Sequence, residues 1–424
     1  MTGAGPRAAA PLDPLGARQG WGPWPSPARA QGYNEQQPFC MFSARTAWPL
    51  EPNRLHQLAE QCRGDGSLID LTISNPTRCG FEYPAELVAA LAQPTALTYT
   101  PQPLGREPAR AAVAAYYRER GLAVASDRVA LTASTSEAYS HLFRLLCNAG
   151  EAVLMPSPSY PLFELLAGAQ DVRLHAVPML YDQGWLLDMA MLERAPDDVR
   201  ALLLVHPNNP AGNYIQPQEW RAVQALAAAR GWAVVVDEVF YDFAMPPGAP
   251  VALDFTACPA LTFLLNGCSK LSALPQMKLA WISVFGPAAQ VRTAWARLEM
   301  LLDLYLSVST PVQLAAPVLL EARRVMQPQI LRRLCENLHT LDAALTRLPA
   351  IERFPVAGGW SVLLRLPRIH SDAEWAERLV ERAGVLTHPG HFYGLEMESC
   401  LALSLLLPPE VFAAGVARMA KEMA

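Results

Sequence analysis

From Ser43 onward the chain alternates short, unbroken apolar runs with stretches of helical spacing. The runs include "RVALTA", "EAVLMP", "RALLLVHP", "WAVVVDEVF" and "LTFLLNG". None alternates apolar with polar residues, as a strand with one wet face would. Such runs suit strands buried on both faces of a mostly parallel sheet. The stretches between them supply helices: "STSEAYSHLFRLLCNAG", "SPSYPLFELLAG" and a helix from about Gln218. These act as right-handed crossovers and cover the sheet on both faces. Upstream, "PARAAVAAYYRERG" has helical spacing and closes at Gly121, a C-cap residue. From Arg323 the texture changes to a long helix, "GGWSVLLRLP", another helix and "CLALSLLLP". The expected organisation is α/β, with a large domain over residues 78–322. A smaller α+β domain is expected from residues 39–77 and 323–424. Residues 1–38 are rich in Gly, Pro, Ala and Arg and lack periodicity, so a disordered tail is expected there. They also lack the continuous apolar core of a signal peptide.

Composition narrows the function classes. The chain has 424 residues, of which 51% are hydrophobic, ample for a sizeable core. A formal charge of −5 argues against nucleic acid as a partner, because that partner selects for a basic stripe. No apolar run reaches the ~18 residues of a membrane span. The longest region, Leu301–Leu320, is broken by Asp303 and Pro311. Eight scattered cysteines without a C-x-x-C pair read as free thiols in a reducing, cytoplasmic compartment. The histidines show no ligand spacing, so no metal is expected.

Ligands of open α/β sheets bind at the carboxyl ends of the strands. Chemistry recurs at those ends here. Ser134, Thr135 and Ser136 follow the first run and open a helix, whose free N–H groups suit a phosphate. Tyr160 follows the second run and suits stacking on a ring. Asn208 and Asn209 follow the third. Asp237 ends "WAVVVD", where a carboxylate needs a cationic partner. Lys270 follows "LTFLLNGCS", where desolvation lowers an amine's pKa and makes it a nucleophile and base. Singly, each reads as a cap, a turn or packing. In order, they ask for a phosphate, a flat ring, a cationic ring atom facing Asp237 and a carbonyl within reach of Lys270. Pyridoxal 5′-phosphate has all four.

With "YTPQPLG", "TASTSEA", "PSYPLF", "HPNNPAG", "DEVF" and "CSKLSALPQMKLAW", the chain resembles the fold-type I pyridoxal-phosphate enzymes of the class I/II aminotransferase family. The resemblance spans nearly the whole chain from about Ser43. It implies amino transfer between an amino acid or amine and a keto acid. Lys270 then matches the Schiff-base lysine, which also carries the proton. Asp237 matches the partner of the pyridine nitrogen, and Asn209 the donor to the ring's 3′ oxygen. Tyr160 matches the stacking aromatic, Ser134 and Thr135 the phosphate-holding residues. Ser269 falls among the cofactor-binding positions beside Lys270. Tyr99 matches a tyrosine that reaches the other subunit's phosphate, which implies a homodimer with shared sites. Ser74 and Asn75 fall where the N-terminal segment closes over substrate.

Four positions depart from that pattern. Lys278 replaces the phosphate-binding arginine and loses its bidentate fork. Gly267 stands where a serine is common. Phe240 stands where a tyrosine donates to the 3′ oxygen, which is expected to raise the pKa of the lysine–cofactor adduct. Ala402 stands where an arginine binds the substrate α-carboxylate. Arg45 and Arg78 are the candidate replacements, and His388 and His391 border the substrate side. The missing arginine keeps a lyase, decarboxylase or cyclase on the same cofactor as the alternative. A regulator on this fold would carry an N-terminal DNA-binding domain, for which residues 1–38 are too short and too rich in Pro and Gly.

Overall fold

The computed structural model describes residues 41–64 and 66–424. The tail expected over residues 1–38 lies outside them. A short strand, β1 (Ile69–Asp70), precedes the large sheet. That sheet is built from β2 (Val129–Thr132), β3 (Ala152–Ser157), β4 (Arg173–Leu180), β5 (Leu186–Leu187), β6 (Val199–Val205), β7 (Ala233–Asp237), β8 (Thr262–Gly267) and β9 (Ala280–Phe285). Its order is β2-β9-β8-β7-β6-β3-β4-β5. The strands from β4 across to β8 are parallel. β9 runs antiparallel to both neighbours, and β5 antiparallel to β4. The mostly parallel sheet expected from the unbroken runs is present.

The runs are unbroken because both faces are covered. Leu202, Leu204, Val234, Val236 and Leu264 enter one core cluster. Their chain neighbours Leu203, Val205, Val235, Phe263 and Leu265 enter another. This is the period-two sorting of a strand with apolar material on each side. Each such side chain contributes about 1.5–3 kcal/mol when fully buried. Helices Thr135–Leu146, Leu162–Gly168 and Pro217–Arg230 follow β2, β3 and β6. The connection from β7 to β8 departs from expectation, since residues 238–261 form no helix. Pro246, Pro247, Pro250 and Pro259 interrupt any helical ladder there. Buried Phe240, Tyr241, Phe243 and Phe255 anchor the connection instead.

After the long helix Arg323–Leu345 come β10 (Glu352–Arg353), β11 (Ser361–Arg365), β12 (Val385–Leu386), β13 (His388–Pro389) and β14 (Cys400–Ser404). β12 pairs in parallel with β1. The rest form an antiparallel sheet of order β10-β11-β14-β13. Its two faces have different tasks. Val362, Leu364, Leu401 and Leu403 join a core with Leu55, Met326, Leu334 and Phe412. Leu363, Cys400 and Ala402 belong to the large sheet's core. The second sheet therefore turns its Ser361–Leu363 and Ala402–Ser404 face toward the large sheet. Among the described residues no helix is long and apolar enough to cross a membrane.

Candidate active site

Strand register gathers the sequence-predicted residues at one edge. Thr132, last in β2, pairs with Ala280, first in β9, which also pairs with Gly267, last in β8. Ser134, Lys278 and the Cys268–Leu271 turn carrying Ser269 and Lys270 therefore leave the sheet together. Asp237 ends β7 beside Leu265 on one side and Val205 on the other. Asn209 follows β6, and Tyr160 follows β3. Lys270 lies not on the strand itself but in the short helix after it. Gly267 has a steric cause: a Cβ there would sit 2.7 Å from the Ala280 Cβ. A serine cannot fit while Ala280 holds that register.

Asp237 and Lys270 dominate the electrostatics. Asp237 is 4% exposed. One carboxylate oxygen accepts the Val239 N–H at 3.0 Å, the other the Tyr139 hydroxyl at 3.1 Å. Burial pushes the Asp237 pKa up to about 6, against those two bonds and the Lys270 charge. Burial pulls Lys270 from 10.5 down to about 8, against the Asp237 charge. That drop raises the free-amine fraction at neutral pH by about two orders of magnitude. Among the described residues, the two charges form no direct ion pair, yet each shifts the other's pKa. The Lys270 Nζ lies 5.2 Å from the centre of the Trp360 ring and 5.9 Å from that of Phe240. Those rings meet edge to face at 5.4 Å. Aromatic faces favour a cation, so they work against burial.

The neighbouring carboxylate, Glu238, turns away and pairs with Arg120 at 2.7 Å. The Arg120 guanidinium in turn stacks 3.4 Å over Tyr241, which keeps that ring off the Phe240 side. Ser134 caps Thr135–Leu146 by accepting the Glu137 N–H at 3.1 Å, and Thr135 opens the helix. Asn208 is consumed by the loop, bonding Pro158 O at 3.0 Å and the Ala211 N–H at 3.1 Å. Asn209 accepts the Ser361 hydroxyl at 3.1 Å. Its amide nitrogen is left for the site. Tyr160 stands edge-on to Phe163 at 6.2 Å and is 37% exposed.

The remaining predicted residues have partners or exposures of their own. Arg45 pairs with Asp171 at 3.2 Å, just before β4 and hence at the amino edge of the sheet. This chain therefore does not bring Arg45 to its own carboxyl-edge site. Asn75 caps the turn Pro76–Arg78 by accepting from Thr77, and Arg78 ends that turn on the surface. Ser74 precedes it, half-buried. Tyr99 is 74% exposed in an irregular stretch. Lys278 is exposed at φ 51°, an uncommon conformation outside glycine. His391 binds Asp372 at 2.8 Å and His388 binds the Tyr393 hydroxyl at 2.9 Å. Sequence reasoning missed Tyr139, Trp360, Ser361 and Tyr393. Only Trp360 carried a signal, the Gly358-Gly359 pair before it. A Cβ on Gly358 would meet Tyr214 at 2.8 Å, marking a close approach of chains.

Known proteins resemble the chain in sequence and in fold. Residues 68–418 match the family model described as aminotransferase class I and II. Nicotianamine aminotransferase 1 of Oryza sativa subsp. japonica is 26% identical over 70% of this chain and 62% of its own length. This chain thus spans under two thirds of that relative. Alanine aminotransferase of Mycobacterium tuberculosis is 27% identical over 77% of this chain and 78% of its own. The solved alanine aminotransferase of Pyrococcus furiosus superposes with a TM-score of 0.78 at 21% identity. It covers 87% of this chain and 95% of that one, a likeness that shows the fold. With the family model covering most of its length, the chain belongs to the class I and II aminotransferases.

Proposed function

We propose that the protein is a pyridoxal-phosphate-dependent aminotransferase acting between an amino donor and a keto acid. The observation that carries the reading is the pairing of a desolvated Lys270 amine with a buried Asp237 carboxylate, each shifting the other's pKa without a direct ion pair. The residues fit the cofactor. The Lys270 amine, held near a pKa of 8, suits covalent attachment to an aldehyde. Asp237 would hold a positive ring nitrogen. Asn209 would offer its amide nitrogen to the ring oxygen, and Tyr160 a face. Ser134, Thr135 and the N-terminus of Thr135–Leu146 would hold the phosphate, with Ser269 and Lys278 beside them. When bound, the cofactor supplies an electron sink for the carbon that loses its proton. Lys270 moves that proton, and Phe240 and Trp360 confine its amine.

Assembly as a homodimer with shared sites fits the 74% exposure of Tyr99. Cytoplasmic residence fits seven free cysteines among the described residues. The decisive experiment loads the protein with pyridoxal phosphate and adds amino donors singly. Conversion of the cofactor to its amine form, reversed by a keto acid, is expected. Release of ammonia or carbon dioxide without that conversion would overturn the reading in favour of a lyase.

Two substitutions probe the site's supports. Tyr139→Phe removes a donor to a buried carboxylate, worth about 1.5–3 kcal/mol. Because that bond lowers the Asp237 pKa, its loss raises it above about 6. Cofactor affinity should then weaken first on the acid side of neutrality. Identical affinity across that range would show that the bond is idle. Phe240→Tyr places a hydroxyl beside Lys270. A new donor to an anionic ring oxygen should lower the midpoint of the pH-dependent visible absorbance by about one unit. An unmoved midpoint would mean that the hydroxyl does not reach the ring.

A further inference from the structure

The second sheet contributes a polar pair that the proposed chemistry leaves unused. His388 in β13 lies directly across from Ala402 in β14, and Leu363 of β11 lies on the other side of Ala402. Opposite residues of an antiparallel pair share a face. Ser404 and Ser361, two residues along, share it too, and Ser361 bonds Asn209. His388 therefore stands on the face that closes the site.

Its position is fixed. The Nδ1 atom bonds the Tyr393 hydroxyl at 2.9 Å. Tyr393 ends the turn Gly390–Tyr393, which is fastened to the carboxyl end of β3. The Ser159 N–H donates to Tyr393 O at 2.9 Å, and the Ser157 hydroxyl donates to Gly394 O at 2.6 Å. Ser159 immediately precedes Tyr160, and Ser157 stands three residues before it, so the pair is held beside the residue that would offer its face to the ring. With Nδ1 engaged, Nε2 is the group His388 has left to offer.

The pair is also uncharged. Burial pulls the His388 pKa down to about 4, against the Asp70 charge. Asp70 itself accepts the Thr72 N–H at 2.9 Å and pairs with Arg63 at 3.7 Å. A substrate carboxylate placed here would lose water and gain no cation from the pair. Burying a charge without a partner is strongly unfavourable. An uncharged carbonyl avoids that penalty, and it accepts a hydrogen bond from Nε2.

We propose that His388, oriented by Tyr393 across from Ala402, determines specificity by receiving an uncharged carbonyl of the amino donor, such as a carboxamide, instead of an α-carboxylate. This rests on the aminotransferase reading, so its test includes a readout that needs no turnover. Holoenzyme is titrated with propionamide and with propionate, and binding is read from the cofactor's absorbance. L-alaninamide and L-alanine are then compared as donors in single turnovers. Propionamide should bind at least about tenfold more tightly than propionate, and alaninamide should react faster, the gap of one good hydrogen bond. His388→Phe should erase the preference, and Tyr393→Phe should reduce it while leaving the ring packing in place. His388→Arg, which adds the missing cation, should invert it. Tighter propionate binding by wild type, or a preference untouched in all three variants, overturns the proposal. Selective propionamide binding without any amino transfer would uphold the pair and refute the transaminase reading alone.

Discussion

Lys270→Ala is expected to fold normally, hold no cofactor covalently and lose at least about 10⁴-fold in amino-transfer rate. The reasoning separates two roles of one amine. As nucleophile, Lys270 is effective because burial brings its pKa down to about 8, so free amine is present near neutrality. In the proposed reading it is also the acid and base, and Trp360 and Phe240 confine its amine. Lys278, the other amine at this edge, is exposed and therefore not desolvated to take over. Stability should hold because the substitution removes a desolvated cation that lacks a direct anionic contact, and such a charge opposes folding. Three measurements check this: visible absorbance after dialysis, half-reaction rate and melting temperature. Absorbance that survives dialysis in the variant would sink the assignment of Lys270.

The outcome bears on how much the chain announces. The large sheet was legible because its strands are buried on both faces, which forbids polar positions within each run. Asp237 was legible for the same reason: a carboxylate closing such a run stands out. Lys270 was legible by its place after another. What the run pattern did not carry is partnership across the fold. Ser361 lies on the other sheet from Asn209, and Trp360 reaches Lys270 from there. Tyr139 looks like ordinary core on its helix, and only the folded geometry turns its hydroxyl onto Asp237. The reversed direction of β9 was equally silent, because an apolar run reads the same both ways. The helix-free connection after β7 was written in four prolines, but helices elsewhere made a crossover helix the natural expectation. Arg45 shows the opposite failure, a plausible cation by residue type that the fold sets at the far edge.

Asp237→Asn should lower kcat/KM by roughly 10²–10⁴-fold, the range for breaking a buried charge pair worth about 3–5 kcal/mol. The substitution preserves shape but not electrostatics. Asp237 accepts at both oxygens, from Val239 and from Tyr139. An amide must turn its NH₂ toward one of those donors and forfeit that bond. In the proposed reading it also removes the anion that would keep a bound cofactor's ring nitrogen protonated. A second consequence has a definite sign. The Asp237 charge raises the Lys270 pKa against burial. Removing it lets burial act alone, so Lys270 falls below about 8. The rate at which apoprotein captures pyridoxal phosphate follows the free amine. In wild type that rate should climb with pH to a midpoint near 8, and in Asp237→Asn the midpoint should move toward acid. The two readouts are independent, one taken from the loaded enzyme and one from the apoprotein. Full activity together with an unmoved midpoint would remove Asp237 from the site. A midpoint that moved toward base would mean that burial does not set the Lys270 pKa.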